Sequence, residues 1–233
     1  MLAQAQLIPD NGDISNLIDF MRLFVGQGKP EYKVPYGKIP EFLPYELKIL
    51  YHEFGNFPAF HQLSTNNPTL PLNDDWTFHL LHNQDGLTYL NKLKIEDDQV
   101  VFAWENQGNW KASTDIYNDN PPVFSNAADN WNEEQKGMIK ICHQVSHFLT
   151  TFCLSELALG AKYSLQLKEP FQEDYQNIIH ESQKLWLNGV YVAGEARHNF
   201  YLFEDIILVS EMWGGWISTN FVSNWKYFKI KNA

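Results

Sequence analysis

Apolar residues at Ile14, Leu17, Ile18, Met21, Phe24 and Val25 recur at helical spacing behind Asp13, whose carboxylate suits an N-cap. They predict a first helix, stopped by Gly26 and Gly28. Four prolines across 29–44 predict an irregular passage, and Pro44 then opens a second helix carrying Leu47, Leu50, Tyr51 and Phe54, ended by Gly55. Residues 56–75 read as a loop. Next, 87–93 and 100–104 flank the polar turn Glu96-Asp97-Asp98 and predict a hairpin. A third strand is expected at 110–114. Pro121-Pro122-Val123-Phe124 suits a short edge strand, because proline cannot donate to a central ladder.

A long helix is predicted from about 133 to 159, with Met138, Ile141, Cys142, Val145, Phe148, Leu149 and Phe152 as its apolar stripe and Gly160 as its end. The rest looks mixed. Strands are expected at 163–167, 189–193, 199–203, 205–210, 216–221 and 227–230, with a short helix at 172–184. Helices and strands come in runs rather than in strict alternation, which points to an α+β fold with a mainly antiparallel, meander-like sheet packed on helices. No repeat or Gly/Ser-rich linker divides the chain, so one domain over 1–233 is expected.

Composition narrows the function classes. The chain has 233 residues, 44% of them hydrophobic and 15% aromatic, which is ample for a buried core. No apolar run approaches the roughly 20 residues of a membrane-spanning helix. The first ten residues lack the basic start and apolar stretch of an export signal, so a cytoplasmic location is expected. Cys142 and Cys153 lie eleven residues apart on the predicted helix, about 16 Å along its axis, too far to bridge. Free cysteines in a core are expected.

Chemistry is sparse. His143 and His147 have the i, i+4 spacing of metal ligands but lack the glutamate of a zinc-protease motif. With Thr150 and Thr151 they read instead as a solvated or partner-facing stripe. His79 and His82, near Asp74, Asp75 and Asp85, could make a mixed nitrogen and oxygen site. No nucleophile elbow, phosphate loop or dinucleotide-binding glycine pattern occurs. The adjacent pairs Glu133-Glu134 and Glu204-Asp205 point apart, whether on helix or strand. No catalytic residue, metal site or cofactor is therefore assigned, and a non-enzymatic protein is expected. Trp213 and Trp216, either side of Gly214-Gly215, offer an alternative: a small-ligand or glycan-binding module built on stacked indoles.

Charge is the strongest remaining signal. The net charge of −11 argues against coating nucleic acid. Between residues 95 and 135 stand nine acids, Glu96, Asp97, Asp98, Glu105, Asp115, Asp119, Asp129, Glu133 and Glu134, against Lys111 alone, a local charge of −8. Such a segment reads either as a solvated acidic face or as a docking surface for a basic protein partner, with Trp104, Trp110 or Trp131 as an apolar anchor and Asn106 beside them.

The same region carries a resemblance. Val100-Val101-Phe102-Ala103-Trp104-Glu105-Asn106-Gln107-Gly108, then Trp110 and Asn120-Pro121-Pro122-Val123, resembles a bacterial branch of the SUKH superfamily, which includes a fungal cell-wall-assembly regulator and many bacterial immunity proteins. Leu43-Pro44-Tyr45-Glu46-Leu47-Lys48 and Phe54-Gly55-Asn56 are similar to that branch's first helix. The likeness covers about 40–160, with Asn120 where the branch usually has aspartate and 161–233 as an extension. It implies an α+β fold, no catalytic residues, and a role in neutralising toxins, many of them nucleases with basic grooves.

Overall fold

A computed structural model describes residues 12–26, 30–58, 79–131, 136–166, 172–190, 196–204, 207–212 and 215–221. Five α-helices lie among them: α1 (Ser15–Val25), α2 (Tyr45–Phe54), α3 (Ala128–Trp131), α4 (Val145–Gly160) and α5 (Gln172–Glu181). The strands are β1 (Asp85–Leu87), β2 (Lys94–Glu96), β3 (Gln99–Glu105), β4 (Lys111–Asp115), β5 (Val123–Ser125), β6 (Ile139–Cys142), β7 (Tyr163–Gln166), β8 (Gln183–Val190), β9 (Ala196–Phe203), β10 (Ile207–Ser210) and β11 (Trp216–Thr219). The fold is α+β. Two antiparallel sheets form, the first in the order β1-β3-β4-β5-β6 with β2 also on β3, the second in the order β7-β11-β10-β9-β8.

The first two helices match their periodicity. Leu17, Ile18, Phe20, Met21 and Phe24 of α1 are buried, and Asp13 Oδ1 accepts both the amide (2.9 Å) and hydroxyl (2.6 Å) of Ser15. Leu47, Leu50, Tyr51 and Phe54 of α2 join the same apolar core as Val100 and Phe102 of β3. The β2–β3 hairpin turns through Asp97 and Asp98, both left-handed, as a tight two-residue turn requires.

The long helix departs from expectation. Residues 139–142 form β6 rather than a helical turn, so Ile141 and Cys142 sit on a strand and α4 starts only at Val145. That added strand pairs with β5, which places β5 inside the sheet and not at its edge. Pro121 and Pro122 precede the ladder, so neither has to donate to it. The first hairpin arm is also shorter: within 87–93 only Leu87 is in a strand, and Leu90–Lys92 forms a 3-10 turn. The expected strand at 189–193 starts earlier, as the last residues of the longer β8. Of the loop expected at 56–75, residues 59–75 lie outside the described residues, as does the strand expected at 227–230.

Helix α4 is the centre of the molecule. Its Phe148 meets Phe102 of the first sheet edge-to-face at 5.5 Å, while Thr151 Oγ1 accepts from Trp186 Nε1 of the second sheet at 3.0 Å. Fourteen of its residues are buried, among them Thr150, Thr151 and Ser155, so the expected solvated polar stripe does not exist. The hydroxyls are satisfied within the helix: Thr150 donates to Ser146 O, Thr151 to His147 O and Ser155 to Thr151 O. Helix α5 packs Ile178 against Tyr201, Val209 and Ile217 on the other face of the second sheet. Among the described residues no helix covers the corresponding outer face of the first sheet.

Candidate functional site

Strand register defines that outer face. Residues paired across an antiparallel ladder point to one side. Lys94 pairs with Val101, Val101 with Ser113, Ser113 with Phe124 and Phe124 with Lys140, which makes one row across five strands. A second row runs from Glu96 through Gln99 to Asp115, and Trp104 pairs with Lys111 beyond the first. Polar contacts knit the face: Ser113 Oγ donates to Gln99 Oε1 at 2.6 Å, Gln99 Nε2 to Asp115 Oδ1 at 3.1 Å, and Lys111 pairs with Glu96.

The acidic segment does not form one acidic surface. Glu96, Asp97, Asp98 and Asp115 gather at the β2–β3 turn and the adjoining end of β4, where Ile116 N donates to Asp98 O. Asp129 lies on α3, where its carboxylate accepts from Gly137 N, and α3 stands beside the β3–β4 turn because Asn130 donates to Asn109 O. With β3 spanning about 20 Å, these two groups sit at opposite ends of the sheet. Asp119 is exposed in a third place, where its charge adds to burial in raising the pKa of Glu46. Glu133 and Glu134 lie outside the described residues, as does the side chain of Trp131. Lys92, Lys94, Lys136 and Lys140 flank the segment in sequence, and including them halves its charge to −4, nine acids against five lysines.

Two expected contact residues belong to the interior. Glu105 is only 8% exposed, and its Oε2 accepts the amides of Gln107 and Asn109, both at 3.0 Å. Gly108, left-handed at φ 77°, completes that turn, so Glu-Asn-Gln-Gly is a self-contained β3–β4 connection. Trp110 is 3% exposed and joins the apolar core. Asn106 is exposed at the same turn. Trp104, by contrast, is 36% exposed. Its indole lies over Gly86, where any Cβ would come within 2.7 Å of Cε2, and edge-on to His82 at 5.8 Å.

Beside Trp104 the outer face opens into a cleft of about 610 Å³, whose walls include Thr88, Lys92, Lys94, Glu96, Trp104 and Lys111. Its lysines were not singled out from the sequence. Lys111 was detectable in principle, since it alternates with inward Ala112 on β4, whereas β2, which carries Lys94, is exposed along its whole length.

Glu156, His79 and His82 are committed to the backbone, whereas the buried Asp85 carboxylate faces two other acids. Glu156 is fully buried on α4, and its carboxylate accepts the amides of Asn83, Gln84 (3.1 Å) and Asp85 (3.0 Å). Burial pushes its pKa up to about 7 against those three bonds. Asp85, opposite Glu105 in the ladder, is raised to about 8 by burial and by the charges of Glu156 and Glu105. His79 donates from Nε2 to Phe54 O and accepts Leu81 N–H at Nδ1, so both ring nitrogens are occupied, and burial drops its pKa to about 3. His82 donates to Leu87 O. His143 is exposed before α4, whereas His147 is half-buried against Trp186 at 5.4 Å, so the two do not share a helix face. Asp74 and Asp75 lie outside the described residues. No described group of three His, Cys, Asp or Glu is arranged to hold a metal ion.

Cys142 on β6 and Cys153 on α4 are both buried thiols, their pKa values raised by burial. Trp216 is half-buried on β11, and Trp213 lies outside the described residues. No described helix is long and apolar enough to cross a membrane. No protein-family model, curated protein or solved structure matches the chain.

Proposed function

We propose that this chain is a non-enzymatic protein-binding module of the SUKH type, acting in bacterial cytoplasm as an immunity protein that neutralises a toxin with a basic groove. The observation that carries this reading is the exposed acidic tip of the β2–β3 hairpin, where Asp97 and Asp98 project beside Glu96 and Asp115 on a sheet face without a described covering helix. Clustered exposed carboxylates accelerate encounter with a basic partner and fix its register. The immunity role itself rests on the resemblance of 100–123. Commitment of Glu105, Glu156, His79 and His82 to backbone hydrogen bonds favours binding over catalysis. The docking surface is smaller than the linear charge suggested, and of the expected tryptophan anchors Trp104 is exposed while Trp110 is buried.

The test is co-expression with the toxin-like product of a neighbouring gene, followed by binding kinetics on the purified pair. Protection is expected, and the double reversal Asp97→Lys/Asp98→Lys slows association at least tenfold, with a weaker salt dependence. Absence of protection, or reversal without effect on association, sinks the reading.

A further inference from the structure

The chain carries −11 overall, yet its cleft on the first sheet is lined by Lys92, Lys94 and Lys111 against Glu96 alone, a local charge of +2 from three bases minus one acid. Glu96 is ion-paired with Lys111 and also feels the charge of exposed Lys94, while Lys92 is exposed with no ion pair among the described residues. Two further features point inward. Trp104, packed against Gly86 and His82, places its indole in the cleft wall. Thr88, 6% exposed, lines the same wall, and its Oγ1 is buried with no hydrogen-bond partner among the described residues. An orphan hydroxyl of this kind is destabilising unless something bonds to it.

From this geometry we infer that the cleft binds a nucleoside phosphate. The flat base stacks on Trp104, the phosphate sits between Lys92, Lys94 and Lys111, and Thr88 with Asn91 offers hydrogen bonds to the sugar or base. A volume of about 610 Å³ lies inside the range of small-ligand sites. An extended peptide is disfavoured at this place because β3 has no free edge: β4 pairs with one flank, and β2 then β1 with the other. Strand addition, the usual source of peptide affinity on a sheet, is thereby blocked on β3, and the flanks left open beside it belong to the three-residue strands β1 and β2.

Calorimetry on the full chain with AMP, ADP, adenosine and inorganic phosphate tests the assignment, and needs no protein partner, so its result is independent of the immunity reading. AMP and ADP are expected to bind more tightly than either adenosine or phosphate. Trp104→Leu weakens the nucleotides at least tenfold but phosphate less than twofold. Lys94→Ala weakens nucleotides and phosphate about threefold or more, and the affinity falls with salt. Circular dichroism and melting of both variants confirm that they fold. No binding of AMP or ADP at millimolar concentration overturns the inference, as does phosphate binding equal to AMP or nucleotide binding indifferent to Trp104→Leu.

Discussion

Asp85→Asn is expected to stabilise the protein at neutral pH, although it alters a buried strand residue. No described hydrogen bond reaches the Asp85 carboxylate, which is 3% exposed as a residue and faces the charges of Glu156 and Glu105. Its pKa rises from 3.8 in the unfolded chain to about 8 in the fold. Folding therefore takes up a proton between those values, and the contribution of Asp85 to stability falls as pH climbs from about 4 to about 8. At pH 7 the unfolded carboxyl is ionised and the folded one protonated, a gap of roughly three units at about 1.4 kcal/mol each. The penalty is about 4 kcal/mol, part of it shared with Glu156, so the variant recovers about 2–4 kcal/mol. The new amide keeps the shape and can donate to either neighbouring carboxylate. Urea unfolding followed by circular dichroism at pH 4, 5.5, 7 and 8 measures this directly. The two proteins should nearly coincide at pH 4 and diverge steadily above it, with the variant having the flatter profile. A variant less stable than wild type at pH 7, or a difference independent of pH, would refute the electrostatic account of this cluster.

Glu156→Ala strips the acceptor from the amides of Asn83, Gln84 and Asp85, each worth about 1–3 kcal/mol when left unsatisfied, so a loss of at least 3 kcal/mol and a Tm drop of about 6–12 °C are expected in a thermal melt. Gly160→Ala drives a Cβ to 2.1 Å from Asn83 Nδ2, breaking its bonds to Leu80 O and Glu156 O; calorimetry should show destabilisation of about 1–3 kcal/mol. Glu53→Gln removes ion pairs to Arg22 and Lys33, both at 2.8 Å. Burial raises the Glu53 pKa but these two cations outweigh it, so its stabilisation is present above pH 4.5 and lost as pH falls through its lowered value. With both cations about half exposed, a cost of about 1 kcal/mol at pH 7 that shrinks as pH falls below 4.5 is expected in chemical denaturation.

The elements legible in the sequence were those set by neighbours. Helices α1 and α2 follow from apolar spacing and glycine stops, and the β2–β3 hairpin from Asp97-Asp98. In the β3–β4 turn a side chain bonds amides two and four residues away, so the unusual string and its structural role coincide. What the string did not disclose is that bonding those amides buries Glu105, removing it from any surface. The departure from a helix over 136–144 has a similar root. Ile139-Lys140-Ile141-Cys142 fits a helical stripe as well as a strand, and only pairing with β5 decides between them.

By itself, then, the sequence determined the α+β class, the helical and hairpin segments and the turn chemistry, because those rest on contacts within a few residues. Tertiary structure decided which polar residues remain outside. A second sheet, assembled from residues 163–219, covers the side of α4 that bears Thr151, and hydroxyls bonded to their own helix carbonyls make that burial tolerable. It also decided the charge. Strand pairing brings Lys94, Lys111 and Lys140 onto one face and sends Asp97 and Asp129 to opposite ends of it, since electrostatic potential depends on distance in space while composition counts distance along the chain.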